Sequence, residues 1–199
     1  TTFLQNTCCR IFDCKNRKRG DCCGRNHWLS CGIEDRFIRD YSQDRKGGVI
    51  LNIMNAGELE KAFSHMKSEP LIVQKMYRSG NEVIIGGKRD PHFGPVILFG
   101  LGGIFVEIFK DMALRVVPVD VSTAEEMIDE IQGVDILKGA RGQKEADRKA
   151  LIEALVNVSR LLTEHPEIIT LDINPLIVFD KGQGCVAVDG KATFSDSVE

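Results

Sequence analysis

"LDINPLIVFDKGQGCVAVDGK", residues 171–191, joins two apolar runs through a glycine-punctuated turn, and it carries acids and an amide where aliphatic residues would bury more simply. Strand side chains alternate between faces, so Asp172 and Asn174 share one side of the first run. Lys181-Gly182-Gln183-Gly184 reads as a hairpin loop. Folding back there brings Asp189 roughly opposite Asn174. Three oxygen-bearing side chains on one face suit a hard divalent cation. Mg²⁺ takes one or two carboxylates and completes its shell with phosphate oxygens and waters. On spacing alone, a solvated hairpin face with ordinary turn acids is the simpler alternative.

Working backward from the hairpin, Asp147–Thr163 carries apolar residues at 151, 152, 155, 158, 161 and 162, the stripe of an amphipathic helix. Ala124–Ile131 reads as a second helix and Arg115–Val119 as a short strand. Gly100–Gly103 is a glycine-rich bend. Pro95–Phe99 and Glu82–Gly87 read as strands, with a turn at Pro91–Gly94 between them and another at Ser79-Gly80-Asn81. Leu71–Tyr77 and Val49–Ile53 are further strands, separated by a helix from Ala56 through Met66. Helices are interspersed among strands without a strict βαβ order, which predicts an α+β class. Lys88 and Arg89 stand beside glycines, a combination that suits a phosphate or acyl phosphate, or else a charged hairpin tip. His92 reads as a surface turn residue, His165 as a helix-end residue favoured by the dipole, and Cys185 as core.

The 199 residues are 43% hydrophobic and 28% charged, with a net charge of -3, which suits one globular domain and argues against a general nucleic-acid binder. No apolar run reaches the roughly 18 residues of a membrane span, and the N-terminus does not read as a signal peptide, so a cytoplasmic location without membrane attachment is expected. Residues 1–46 differ from the rest. They hold ten Lys/Arg against six Asp/Glu and six of the seven cysteines: Cys8, Cys9, Cys14, Cys22, Cys23 and Cys31. The adjacent pairs Cys8-Cys9 and Cys22-Cys23 fit a zinc tetrahedron poorly. A disulfide framework does not suit a chain of this kind. The segment has no sustained helical or strand period. A third reading is that it is out of frame. Codons allowed for Asp21 through Phe37, read one nucleotide forward, permit "TAAEEITGYPVVLKIVS", an amphipathic helix, a turn and a lysine-bearing strand. The expected organisation is therefore an aberrant head over 1–46 and a domain over 47–199.

"NEVIIGGKRDPHFGPVILFGLGGIFVEIFKD", "LKGARG" and the final hairpin together resemble the ATP-grasp domain of ADP-forming acetyl-CoA synthetases, acyl-CoA synthetases related to the succinyl-CoA synthetase β subunit. The resemblance runs almost continuously through 47–199, and the shifted "GYPVVLKIVS" is similar to the family's nucleotide-lysine strand. It implies an ATP-grasp fold whose N-terminal part is incomplete. It also implies ATP, ADP and Mg²⁺ as ligands, CoA held by a partner α subunit or domain, and a small carboxylic acid as substrate. The reaction would pass through an acyl phosphate and a phosphohistidine on the partner. By the same resemblance Asn174 and Asp189 match Mg²⁺ positions, with Asp172 beside them. Gln74, Lys75 and Met76 match the adenine-lining segment, Glu82 an acidic nucleotide-site position, and Gly102 and Gly103 the loop near phosphoryl transfer. The head as written lacks the lysine strand, so an inactive fragment that only binds a partner is the competing expectation.

Overall fold

The structure, a computed structural model, describes residues 10–12, 36–40, 49–65, 71–77, 79–102 and 111–195. The six head cysteines and Gly103 lie outside the described residues. The chain divides into two compact units, a smaller one within Gln5–Arg78 and a larger one formed by Ser79–Glu199.

The smaller unit holds β1 (Arg10–Phe12), β2 (Arg36–Asp40), β3 (Val49–Ile53), α1 (Ala56–His65) and β4 (Leu71–Lys75). Its strands form an antiparallel sheet in the order β1-β4-β2-β3. Two of them come from the head, where no strand period was legible. The expected strand through Tyr77 stops at Lys75. The start of α1 is fixed reciprocally. Asn55 Oδ1 accepts the Glu58 N–H at 3.0 Å, and Glu58 Oε2 accepts the Met54 N–H at 2.8 Å. The helix packs through Leu59, Ala62 and Phe63 on Ile53 and Val73.

The larger unit holds β5 (Asn81–Asp90), β6 (Gly94–Leu101), β7 (Met112–Val116), α2 (Val121–Glu130), α3 (Val134–Leu137), α4 (Arg148–Glu164), β8 (Ile168–Val178), β9 (Cys185–Ala187) and β10 (Gly190–Phe194). Six antiparallel strands run β10-β8-β5-β6-β7, with β9 also on β8. One face carries the core. Val83, Ile85, Ile97, Phe99 and Ala113 meet Met127, Ile128, Leu151, Leu155 and Leu162 from the helices. Each large apolar side chain so buried contributes on the order of 1.5–3 kcal/mol of transfer free energy. Alternate residues, including Glu82, Gly86, Lys88, Asp172 and Asn174, point away from the helices. This arrangement meets the α+β expectation.

Three boundaries differ from the sequence reading. Gly100 and Leu101 remain in β6, so the bend is shorter than its glycines suggest. The strand expected at Arg115–Val119 lies at Met112–Val116. The Val117 N–H makes the last ladder-like bond, to Pro95 O at 2.9 Å, and Pro118 has no N–H to continue it. The β5–β6 hairpin runs to Asp90, whose Oδ1 accepts the His92 and Phe93 N–H groups.

Gly87 reports how closely α4 lies on the sheet, since an added Cβ would stand 2.7 Å from Leu162 Cδ1. Gly87→Val is therefore expected to destabilise the protein by about 1–3 kcal/mol through overpacking. Urea denaturation measures it, and an unchanged midpoint would contradict this packing.

Candidate metal and nucleotide site

β8 is the strand on which the candidate ligands are built, flanked by β5 on one side and by β9 and β10 on the other. Asp172 sits opposite Gly86 of β5 and Lys191 of β10. Two residues on, the Asn174 N–H donates to Asp189 O at 3.1 Å, and the Val188 N–H donates to Pro175 O at 3.0 Å. Asp189 thus occupies the break between β9 and β10, next to Asn174. The break has a counterpart across β8. The β5–β8 register shifts between Val83 and Ile85, so Asn174 and Pro175 together face Ile84 alone. Such a bulge re-aims side chains and interrupts pairing. The turn that returns the chain uses Gly182 (φ 82°) and Gly184 (φ 83°), left-handed positions that glycine adopts without steric cost.

Electrostatics links the two acids. Partial burial raises the Asp172 pKa above its ordinary value, and the charge of Asp189 raises it further, while Lys191 opposes both. A carboxylate whose ionisation is disfavoured by burial and a neighbouring acid is relieved by a proton or a cation. Among the described residues no three His, Cys, Asp or Glu side chains gather as a metal group. The three candidates would offer two carboxylates and one amide oxygen. That set fits magnesium, which uses few protein ligands and leaves positions for phosphate oxygens and water.

Glu82 and Gly102 are brought together within the larger unit. The Gly102 N–H donates to Glu82 O at 2.8 Å, and a Cβ on Gly102 would lie 3.2 Å from Glu82 backbone and Cβ atoms. The amide of Gly102 is engaged in this bond. The smaller unit holds the other three candidates: Gln74 is buried, Met76 is half-buried, and Lys75 is exposed with Nζ 5.1 Å from the Tyr77 ring centroid.

The basic tip of the β5–β6 hairpin is corrected. Arg89 does not face an anion site. Its guanidinium donates to Leu162 O at 2.9 Å and Ile168 O at 3.3 Å, holding the end of α4. The length of the β5 strand carries it under that helix, which glycine spacing could not reveal. His92 is an exposed turn residue, and His165 Nδ1 lies 2.8 Å from Glu167 Oε1 at the helix end. Cys185 packs against the core, and burial pushes its thiol up to about 11. The sequence reading missed Lys191, although two-residue alternation from Asp189 was a usable signal.

Asp147 ties the hairpin to the helical layer. It caps α4 by accepting the Ala150 N–H at 3.2 Å, and its other oxygen accepts the Gly184 N–H at 2.8 Å. Burial pushes its pKa up, but the N–H groups of Gly184, Ala150 and Gly182 outweigh burial and hold it below the ordinary 3.8. A depressed pKa stabilises the fold above the unfolded value and loses that contribution as pH falls through the folded one. Asp147→Asn is expected to cost about 1–3 kcal/mol at neutral pH. The gap from the parent should narrow in acid, as urea denaturation at several pH values would measure. A pH-independent gap would contradict the charge assignment.

A family model described as ATP-grasp domain matches residues 41–193. The acetate–CoA ligase [ADP-forming] I of Archaeoglobus fulgidus is 43% identical over 151 residues, covering 70% of this chain and 22% of that protein. The β subunit of acetate–CoA ligase [ADP-forming] I of Pyrococcus furiosus is 42% identical over 156 residues, covering 73% of this chain and 66% of the subunit. The chain therefore spans about a fifth of the first relative and just under two thirds of the second. A solved structure of the Ca. Korarchaeum cryptofilum dinucleotide forming acetyl-coenzyme A synthetase 1 superposes with TM-score 0.75 and 35% identity, covering 84% of this chain and 80% of that one. That protein is in complex with coenzyme A and Mg-AMPPCP, its phosphohistidine segment pointing towards the nucleotide-binding site.

Proposed function

This chain belongs to the ATP-grasp domain family, and from that premise we propose that it is the nucleotide-binding part of an ADP-forming acyl-CoA ligase. The reaction joins a small carboxylic acid to CoA at the expense of ATP, through an acyl phosphate and a phosphohistidine on a CoA-binding α partner. The observation that carries the reading is the meeting of Asn174 and Asp189 at the β9–β10 break, with Asp172 electrostatically coupled to Asp189. Bound there, Mg²⁺ supplies charge neutralisation on the phosphate oxygens, which phosphoryl transfer requires. Asn174, Asp189 and Asp172 hold the cation. Lys191, opposite Asp172, adds positive charge to the same face. Glu82, held to Gly102, contributes to the nucleotide site, and Gly102 to phosphoryl transfer. Gln74, Lys75 and Met76 line the adenine.

A second reading concerns activity and rests on the head. Residues 1–46 are an out-of-frame reading of the domain start, and the lysine strand that would contact phosphate is absent as written. The clustering of six cysteines there favours it, and the family match, which begins at residue 41, leaves most of the head unmatched. On this reading the chain retains a metal and nucleotide face without turnover.

Thermal melting with ADP and Mg²⁺ tests the binding claim. Saturating ligand at about 100 Kd adds roughly 2.7 kcal/mol of stability. An upward shift requiring both ADP and Mg²⁺, reversed by EDTA, is expected. No shift, or one insensitive to metal, would refute it.

A further inference from the structure

The central strand β5 carries two adjacent glycines, and the structure gives a reason for only one of them. Gly87 faces α4, where a Cβ would stand 2.7 Å from Leu162. Gly86 points to the opposite face. A Cβ there would meet Leu98 Cβ at 3.6 Å and Leu171 O and Leu98 Cδ2 at 3.8 Å, ordinary van der Waals distances. Its φ is not left-handed, so the backbone does not ask for glycine either. Glycine inside a strand is destabilising relative to alanine. Where neither packing nor backbone requires it, a strand glycine marks close approach by a ligand or another chain.

Register says what approaches. Gly86 lies directly opposite Asp172, which in turn lies opposite Lys191. Cross-strand neighbours on one face stand about 4.5–5.5 Å apart at Cβ. A group held by Asp172 and Lys191 therefore rests above Gly86. Asp172 selects a cation and Lys191 an anion, a pairing that a metal-bound polyphosphate satisfies in one ligand. We propose that Gly86 is a ligand-contact position, the flat floor on which the phosphate tail of a magnesium–nucleotide complex lies beside Asp172. This inference rests on the nucleotide-site reading above and adds a steric determinant to it. A side chain at 86 would occupy the space the phosphates need, while leaving the fold undisturbed.

Gly86→Val in the full chain separates ligand approach from a role in folding. Its melting temperature without ligand should equal or exceed the parent's, because the position accepts a Cβ and β-branched residues favour strands. Its affinity for Mg²⁺-ADP, by isothermal titration calorimetry, should fall about tenfold or more through overlap with the ligand. Gly86→Ala should lose less. A lowered melting temperature for Gly86→Val would overturn the proposal by showing that the fold itself needs glycine. Equal Mg²⁺-ADP affinity in parent and Gly86→Val would overturn it directly. If the parent binds no Mg²⁺-ADP, the nucleotide-site reading fails and this inference fails with it.

Discussion

Asp189→Ala is expected to weaken Mg²⁺-dependent ADP binding at least about a hundredfold, roughly 2.7 kcal/mol, while leaving the fold intact. The side chain belongs to the break between β9 and β10, where the Asp189 carbonyl accepts the Asn174 N–H. Removing the carboxylate leaves that bond in place. It also removes the negative charge that raises the Asp172 pKa, so the Asp172 carboxyl should titrate lower in the variant. Calorimetry would read the first effect and carboxyl NMR titration the second. Loss of binding with an unmoved Asp172 titration would mean that the two acids do not share a face. A melting temperature lowered by several degrees would reassign Asp189 to folding.

Restoring the reading frame upstream of Gly47 is expected to convert the chain from inactive to active. The shifted frame supplies a strand with a lysine, where the head as written supplies six cysteines and no strand period. A positioned cation on the transferred phosphate acts where charge accumulates in the transition state, and losing one such donor typically costs 10²–10³ in rate, about 2.7–4 kcal/mol. Mixed with a competent CoA-binding α partner, CoA, acetate and MgATP, the chain as written should give no acetyl-CoA above background. The restored chain should turn over. Robust turnover by the chain as written would overturn both the frame assignment and the requirement for the lysine strand.

How far each of these features was legible depends on whether it is written in local order or in register. Asp172 and Asn174 sit two residues apart, so alternation alone put them on one face. The glycines at 182 and 184 announced the turn that returns Asp189 toward them. The long helix α4 declared itself through its apolar stripe, of which Leu151, Ile152, Leu155, Val158 and Leu162 are buried. Register was not readable. The shift between Val83 and Ile85 and the break at Asp189 decide which residues of β5 and β10 flank Asp172, so Gly86 was invisible to spacing, and alternation from Asp189 could give the face of Lys191 but not its partner. Arg89 was misread for the same reason, because its partners, Leu162 and Ile168, lie more than seventy residues away. The strand at Met112–Val116 was displaced because the apolar run continues to Val119 and hides the stop at Pro118. The strands at Arg10–Phe12 and Arg36–Asp40 leave no alternation to read; backbone pairing with β3 and β4 places them.

Mn²⁺ substitutes for Mg²⁺ at oxygen-rich sites and broadens the NMR signals of nearby amides. Titrating Mn²⁺ with ADP into the isotope-labelled full chain should erase the amides of Asp172, Ile173, Asn174, Asp189 and Gly190 first, leaving those of α1 and α2 sharp. Broadening centred on another part of the fold, such as the surroundings of Asp147, would contradict this placement of the cation.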